Sequence, residues 1–132
     1  MWIYSQGLAT IYYKEDVTSE PQKVSAGYSG QDTGLNNPEF QCELFGPLPR
    51  GDYTIGAPEV GPSDYSLRLT PDADNDMCNP TRSHFLIHGD RDENPPRNEM
   101  VASHGCIILP RAIRERIWNS GDTKLRVVDY GA

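Results

Sequence analysis

The chain has 132 residues, with 12 Lys and Arg against 19 Asp and Glu, which gives a formal net charge of −7. This acidic balance argues against binding along a nucleic-acid backbone, because such binding requires clustered cations. A mean hydropathy of −0.63, without a long apolar run, argues against insertion into a membrane. The length suits a single domain over residues 1–132.

Short strands separated by turns are predicted along most of the chain, which contains 12 Gly and 11 Pro. Aromatic and β-branched residues predict a hairpin over residues 2–13 and a short strand over 23–28. A loop rich in Gly, Asn and Pro follows over 29–50. Further strands are predicted over residues 52–55, 65–70, 83–88 and 124–130.

One helix is predicted, over residues 110–119. Ile113 and Ile117 lie four residues apart on one face, whereas Arg114 and its charged neighbours lie mainly elsewhere. Gly121 is suited to end the helix. Together these elements predict a mainly β fold, in which two packed sheets surround the segment 103–107 and one helix lies in the C-terminal region.

Two segments combine residues that suit cysteine chemistry. His88 and Gly89 end a predicted strand, and Ser103-His104-Gly105-Cys106 precedes an apolar stretch. A cysteine nucleophile needs a base within hydrogen-bond reach and backbone N–H groups directed at the developing oxyanion. Gly105 permits a tight turn and the close approach of a substrate. The pattern therefore predicts Cys106 as nucleophile in a loop that forms its own oxyanion hole, with His88 arriving from a neighbouring strand.

The spacing of these residues resembles a known catalytic signature. His88-Gly89 and the run Ser103-His104-Gly105-Cys106-Ile107, with fourteen residues between His88 and Ser103, are similar to the signature of the L,D-transpeptidase catalytic domain (YkuD-like). Upstream, Tyr28-Ser29-Gly30 and the segments 46–55 and 82–89 resemble the smaller subfamily of type VI secretion L,D-transpeptidase effectors. This resemblance covers roughly residues 1–130 and implies an L,D-transpeptidase-like β-sandwich.

The resemblance implies a cysteine acyl-transfer enzyme that needs no cofactor. Cys106 would attack the carbonyl of meso-diaminopimelate in a peptidoglycan tetrapeptide stem and release the terminal D-Ala. Water, a D-amino acid or a second stem would then accept the acyl group. His88 would be the base, oriented by the carbonyl of Gly89.

In the same resemblance, the loop around the nucleophile has two tasks. The N–H groups of Gly105 and Cys106 would bind the oxyanion, and Ser103 and His104 would position the loop. His104 is also an alternative base. Candidate substrate-binding residues are Tyr28, Ser29, Gly30 and Arg82.

One departure from the family concerns the substrate carboxylate. Many members carry an arginine two residues after the cysteine, where this chain has Ile108. The role of that arginine is therefore not transferred to position 108. Arg82, Arg50 and Arg111 are the candidates to replace it.

The resemblance also implies a biological setting. No signal peptide is visible at the start of the sequence, so we expect synthesis in the cytoplasm and secretion into the periplasm of a target bacterium. An antibacterial effector of this kind implies an immunity protein that covers the active-site cleft. The alternatives are a housekeeping periplasmic L,D-transpeptidase that forms 3,3-crosslinks and a non-catalytic peptidoglycan-binding module.

Three features keep two interpretations each. His84, His88, His104 and Cys106 are also zinc-ligand types, although Cys-x-x-Cys and His-Glu-x-x-His motifs are absent from the sequence. The connection 89–102 is either a flap over the substrate or a solvated loop. Cys42 and Cys78 either form a disulfide in an oxidising compartment or remain thiols.

Overall fold

The computed structural model describes residues 1–92 and 95–132. Within these residues the strands are β1 (Trp2–Ser5), β2 (Thr10–Tyr13), β3 (Gln22–Ala26), β4 (Tyr28–Ser29), β5 (Gly51–Glu59), β6 (Ser66–Pro71), β7 (Phe85–His88), β8 (Ile107–Ile108) and β9 (Lys124–Val128). The helix α1 (Arg111–Asn119) lies between β8 and β9, and short 3-10 helices occur at Asp32–Gly34, Pro38–Phe40 and Arg97–Glu99. The predicted mainly β class with one helix near the C-terminus is confirmed.

Hydrogen bonds join these strands into one sheet, in the order β3-β2-β1-β9-β5-β6-β7-β8-β4. Neighbouring strands are antiparallel except for two parallel pairs, β1 with β9 and β7 with β8. The predicted hairpin over residues 2–13 is the β1–β2 pair. The parallel pair β7–β8 lies near one end of this order and carries the candidate catalytic residues.

The core shows how this sheet packs on itself. Trp2 and Tyr4 of β1 belong to the same buried cluster as Ile87 of β7 and Ile107 of β8, although these strands are far apart in the sheet order. The sheet therefore curves until its two halves face each other, which produces the predicted two-layer packing. Ile117 of α1 joins the same cluster. Full burial of each such side chain contributes about 1.5–3 kcal/mol.

The strand predicted over residues 23–28 is two strands at opposite ends of the sheet order. β3 pairs with β2, and β4 pairs with β8. Gly27 lies at the change of partner: its N–H donates to the carbonyl of Ala9 at 2.9 Å. A Cβ at this position would collide with the carbonyl oxygen of Ile108. The glycine therefore lets the chain pass close to β8 and continue as its neighbour.

Candidate active site

Strand register brings the predicted nucleophile and base together. In the parallel pair β7–β8, Ile87 lies opposite Ile107, and the Leu86 N–H donates to Cys106 Sγ at 3.4 Å. Because alternate residues of a strand share a face, His88 lies on the same face as Leu86, about 7 Å further along β7. The Cys106 thiol therefore contacts the backbone of the strand that carries His88, two residues before His88.

The His88 ring is held in one orientation by its own chain neighbour. Its Nδ1 lies 2.9 Å from the carbonyl oxygen of Gly89. A carbonyl only accepts, so Nδ1 carries the hydrogen and Nε2 is left to accept a proton. Burial lowers the pKa of His88, an effect that the Gly89 carbonyl opposes. His88 is therefore neutral at neutral pH, as a general base requires.

The Cys106 thiol is partly buried, and burial raises its pKa. Hydrogen bonds from the backbone N–H groups of Leu86 and Cys106 act in the opposite direction, as does the positive charge of Arg82. Because the pKa of His88 is lowered while that of Cys106 is raised, both the thiol and the imidazole are neutral at rest. This arrangement fits proton removal by His88 as the substrate is attacked.

The loop before Cys106 is fixed by two buried hydroxyl groups. Ser103 Oγ donates to the Cys106 carbonyl at 2.5 Å and accepts from the N–H groups of Gly30 at 2.8 Å and Gly105 at 3.0 Å. Ser29 Oγ donates to the Gly105 carbonyl at 2.9 Å. Ser29 and Gly30 thus support the loop from behind. Of the two predicted oxyanion donors, the Gly105 N–H is engaged by Ser103 Oγ, and the Cys106 N–H interacts with the Cys106 thiol.

His104 lies at the surface of this loop. Its ring makes an edge contact with Phe45, with 5.1 Å between ring centroids and 68° between the planes. Its carbonyl accepts a hydrogen bond from Arg82 at 2.7 Å. These contacts hold His104 against Phe45 and Arg82, whereas His88 belongs to the strand whose Leu86 N–H contacts the thiol.

The connection 89–102 reaches over this face of the sheet. Tyr28 donates its hydroxyl hydrogen to Asp90 Oδ2 and accepts from the Ala102 N–H at 3.2 Å, so it ties both ends of the connection together. Met100 and Ala102 pack on the buried cluster that contains Ile108. The described ends of the connection are therefore anchored to β4 and to the cluster around Ile108, and a role as a flap over the substrate stays a prediction. Residues 93 and 94 lie outside the described part of the chain.

Zinc has no support among the described residues. No group of three or more His, Cys, Asp or Glu side chains within residues 1–92 and 95–132 is arranged to hold a metal ion. His84 is exposed and directly precedes β7. None of the helices found in these same ranges is both long and apolar enough to cross a membrane.

The sequence profile of the Tlde1 domain matches residues 23–130, which is most of the chain. The chain belongs to the Tlde1 domain family. This match supports the resemblance to type VI secretion L,D-transpeptidase effectors, which was inferred from the motifs around His88 and Cys106 and from the upstream segments.

Two solved structures share the fold of this Tlde1 domain. They are Bd1075 from Bdellovibrio bacteriovorus, at 14% identity, and the helical cell shape determining protein Pgp2 from Campylobacter jejuni, at 16% identity, each with a TM-score of 0.60. The matches cover 98% and 99% of this chain, but only 48% of each of those chains. A comparison with curated protein sequences finds no significant match.

The candidates to replace the family arginine are accounted for by other contacts. Within residues 1–92 and 95–132, Arg82 makes five hydrogen bonds, and all of them join Nη1 or Nη2 to backbone carbonyls. Arg50 contacts the side chain of Gln6 at 3.1 Å, and Arg111 pairs with Glu115 at 2.9 Å.

A different arginine reaches the cavity beside Ile108. This cavity of about 100 Å³ is also lined by Tyr28, Gly89, Met100 and Arg114 of α1. Arg114 is only 5% exposed, and its Nε donates to the carbonyl of Leu109 at 3.0 Å. Sequence reasoning placed Arg114 away from the apolar helix face. The available signal for its burial was its position three residues before Ile117, because residues three apart are neighbours on a helix surface and Ile117 is buried.

Replacement of Gly105 by alanine is expected to destabilise the fold by about 1–3 kcal/mol. Gly105 has a φ of +123°, and an added Cβ would lie 2.5 Å from the Phe85 ring and 2.8 Å from Arg82 Nη2. Urea unfolding of G105A measures this cost. Gly131→Ala is the matched control, since no atom lies within 4 Å of its added Cβ. Equal unfolding midpoints for the two variants would contradict the expectation.

Proposed function

We propose that this Tlde1 domain is a cysteine L,D-transpeptidase or L,D-carboxypeptidase that cleaves tetrapeptide stems between meso-diaminopimelate and D-Ala. The observation that carries the proposal is the contact of the Cys106 thiol with the strand that holds His88, where the Leu86 N–H donates to Cys106 Sγ at 3.4 Å in the parallel pair β7–β8. The family match supports a peptidoglycan substrate.

The first half of the reaction forms a thioester. His88 Nε2 takes the proton of Cys106 Sγ as sulfur attacks the diaminopimelate carbonyl, and the resulting oxyanion is met by the Cys106 N–H. The imidazolium then gives its proton to the nitrogen of D-Ala, and the amide C–N bond breaks. D-Ala leaves with a neutral amino group, and the acyl group remains on Cys106.

The second half transfers the acyl group from Cys106. His88 removes a proton from the incoming acceptor, the acceptor attacks the thioester, and the sulfur leaves as a thiolate that is reprotonated by His88. Water as acceptor gives a tripeptide, and a D-amino acid gives an exchanged tetrapeptide. A second stem gives a 3,3-crosslink, the product of a housekeeping L,D-transpeptidase.

The setting that we propose is the periplasm of a target bacterium, where the effector acts on the cell wall. The Cys42–Cys78 disulfide of the structure suits an oxidising compartment. The effector role further implies an immunity protein that covers the Cys106 cleft. The net charge of −7 favours a basic surface on that partner.

The test is mass spectrometry of disaccharide-tetrapeptide incubated with the protein or with C106A, with and without D-Met. We expect loss of D-Ala, or replacement of D-Ala by D-Met, only with the intact thiol. The ratio of the two products ranks hydrolysis against exchange. An unchanged tetrapeptide in all samples of folded, thiol-reduced protein would refute the proposed activity, and binding without turnover would favour the non-catalytic module.

A further inference from the structure

Arg82 lies three residues before β7 and connects two loops through its guanidinium. Its Nη1 donates to the carbonyls of Gln41 at 2.5 Å and Pro47 at 2.9 Å. Its Nη2 is shared among the carbonyls of Leu44 at 3.3 Å, Gly46 at 3.2 Å and His104 at 2.7 Å. The N–H groups of these two nitrogens are thus directed at backbone carbonyls of two segments. One segment is 41–47, and the other is the loop that contains His104.

The guanidinium lies directly against the loop that carries the thiol. The carbonyl of His104 comes immediately before Gly105 and Cys106, and an added Cβ on Gly105 would be 2.8 Å from Arg82 Nη2. On its other side, the guanidinium carbon lies 5.3 Å from the centroid of the Phe85 ring. Phe85 opens the strand that carries His88, so Arg82 touches both segments of the candidate site.

The positive charge of Arg82 is not neutralised by a carboxylate. Within residues 1–92 and 95–132, no Asp or Glu oxygen forms an ion pair with Arg82. Its partners are neutral carbonyls, which satisfy its N–H groups but leave its charge. The nearby group that gains negative charge during the proposed reaction is Cys106, and the two side chains influence each other's pKa in the direction expected for an attractive pair.

We infer that Arg82 is a positioning residue that fixes the His104-Gly105-Cys106 turn and stabilises the Cys106 thiolate from behind the loop. The inference rests on the proposed function only for the role of Cys106 as nucleophile. It assigns Arg82 a role distinct from substrate binding, because the fork of the guanidinium is used by the protein itself. Lysine would keep the charge but could not bridge five carbonyls.

The test compares R82M and R82K with the wild type by the pH dependence of iodoacetamide alkylation of Cys106, the free thiol of the protein. R82M is expected to raise the midpoint by about one pH unit, because an attractive charge is lost. R82K is expected to keep the midpoint while kcat on tetrapeptide falls about 100-fold with little change in KM, because the loop is displaced.

Arg126→Met is the matched control, since Arg126 is exposed and paired with Asp52 at 2.8 Å. It removes one positive charge away from the site and should leave both quantities unchanged. A midpoint in folded R82M equal to that of R126M would overturn the inference. If R82M does not fold, full kcat in R82K overturns it. A shifted midpoint together with an inactive wild type would refute the proposed function and leave the Arg82–Cys106 coupling standing.

Discussion

Replacement of His88 by glutamine is expected to slow D-Ala release by about 100- to 10,000-fold, the usual contribution of a general base. Glutamine fills much of the same space and can still contact the Gly89 carbonyl, but it cannot accept the proton of Cys106. Because the resting thiol of Cys106 is neutral, nothing else in the pair removes that proton. The measurement is the initial rate of D-Ala release from tetrapeptide by mass spectrometry.

The pH dependence of the wild type provides a second readout of His88. Only the neutral imidazole accepts a proton, so activity is present above the pKa of His88 and is lost as the pH falls through it. Burial lowers that pKa below the ordinary value of 6.5. We therefore expect the acid limb of kcat/KM to have its midpoint below pH 6.5. A midpoint clearly above 6.5 would contradict this environment for His88.

Variants of the two other histidines test whether His88 is the base. His104→Gln tests the alternative base, which the structure places against Phe45. His84→Asn is the control for a general effect of histidine loss, since asparagine tolerates the positive φ of +66° at position 84. If H104Q loses as much rate as we expect of H88Q, while H88Q remains active, the roles of the two histidines are exchanged.

The nucleophile loop and the strand before His88 were visible in the sequence because both are local patterns. In both segments, residues with catalytic chemistry lie directly next to an apolar run: His88 follows one, and Cys106 precedes another. The two segments are brought together by β8, which is only two residues long and is not predicted from the sequence. A strand this short has no detectable period, and its existence is decided by pairing with β7 and β4, which are distant in the chain.

Burial on both faces of β7 is a second feature that the strand's own sequence does not reveal. Leu86 and His88 are buried along with Phe85 and Ile87. Beside β7, Met100 and Ala102 of the connection pack on the buried cluster that contains Tyr28 and Ile108. Cover by a long connection leaves no periodic signal in the strand that it protects.

The arginine question shows the same limit. Ile108 was recognised as a departure from the family, but the residues near it in space could not be derived from spacing. In the structure Ile108 is buried, and the guanidinium at the adjoining cavity comes from Arg114 of α1. Arg82, one of the three candidates to replace the family arginine, has the N–H groups of Nη1 and Nη2 directed at backbone carbonyls. Position in the sequence identified a residue near the site but not the direction of its side chain.

Loss of the Cys42–Cys78 disulfide is expected to lower the free energy of unfolding by about 3–4 kcal/mol. The bond joins residues 36 positions apart and so restricts the unfolded chain strongly. Against a typical domain stability of about 5–15 kcal/mol, this is a large fraction. Urea unfolding of the Cys42→Ser, Cys78→Ser double variant measures the loss.

The disulfide also lies next to a hydrogen bond of Arg82. Cys42 follows Gln41, whose carbonyl accepts from Arg82 Nη1 at 2.5 Å, and the same guanidinium contacts the carbonyl of His104. We therefore expect the double variant to lose activity as well as stability. Reductant should bring the wild type to the unfolding midpoint of the double variant and leave the double variant unchanged. A double variant as stable as the wild type would contradict the prediction. If the double variant is less stable, as we expect, protein made in a reducing cytoplasm gains this stability only after it reaches a compartment in which the disulfide can form.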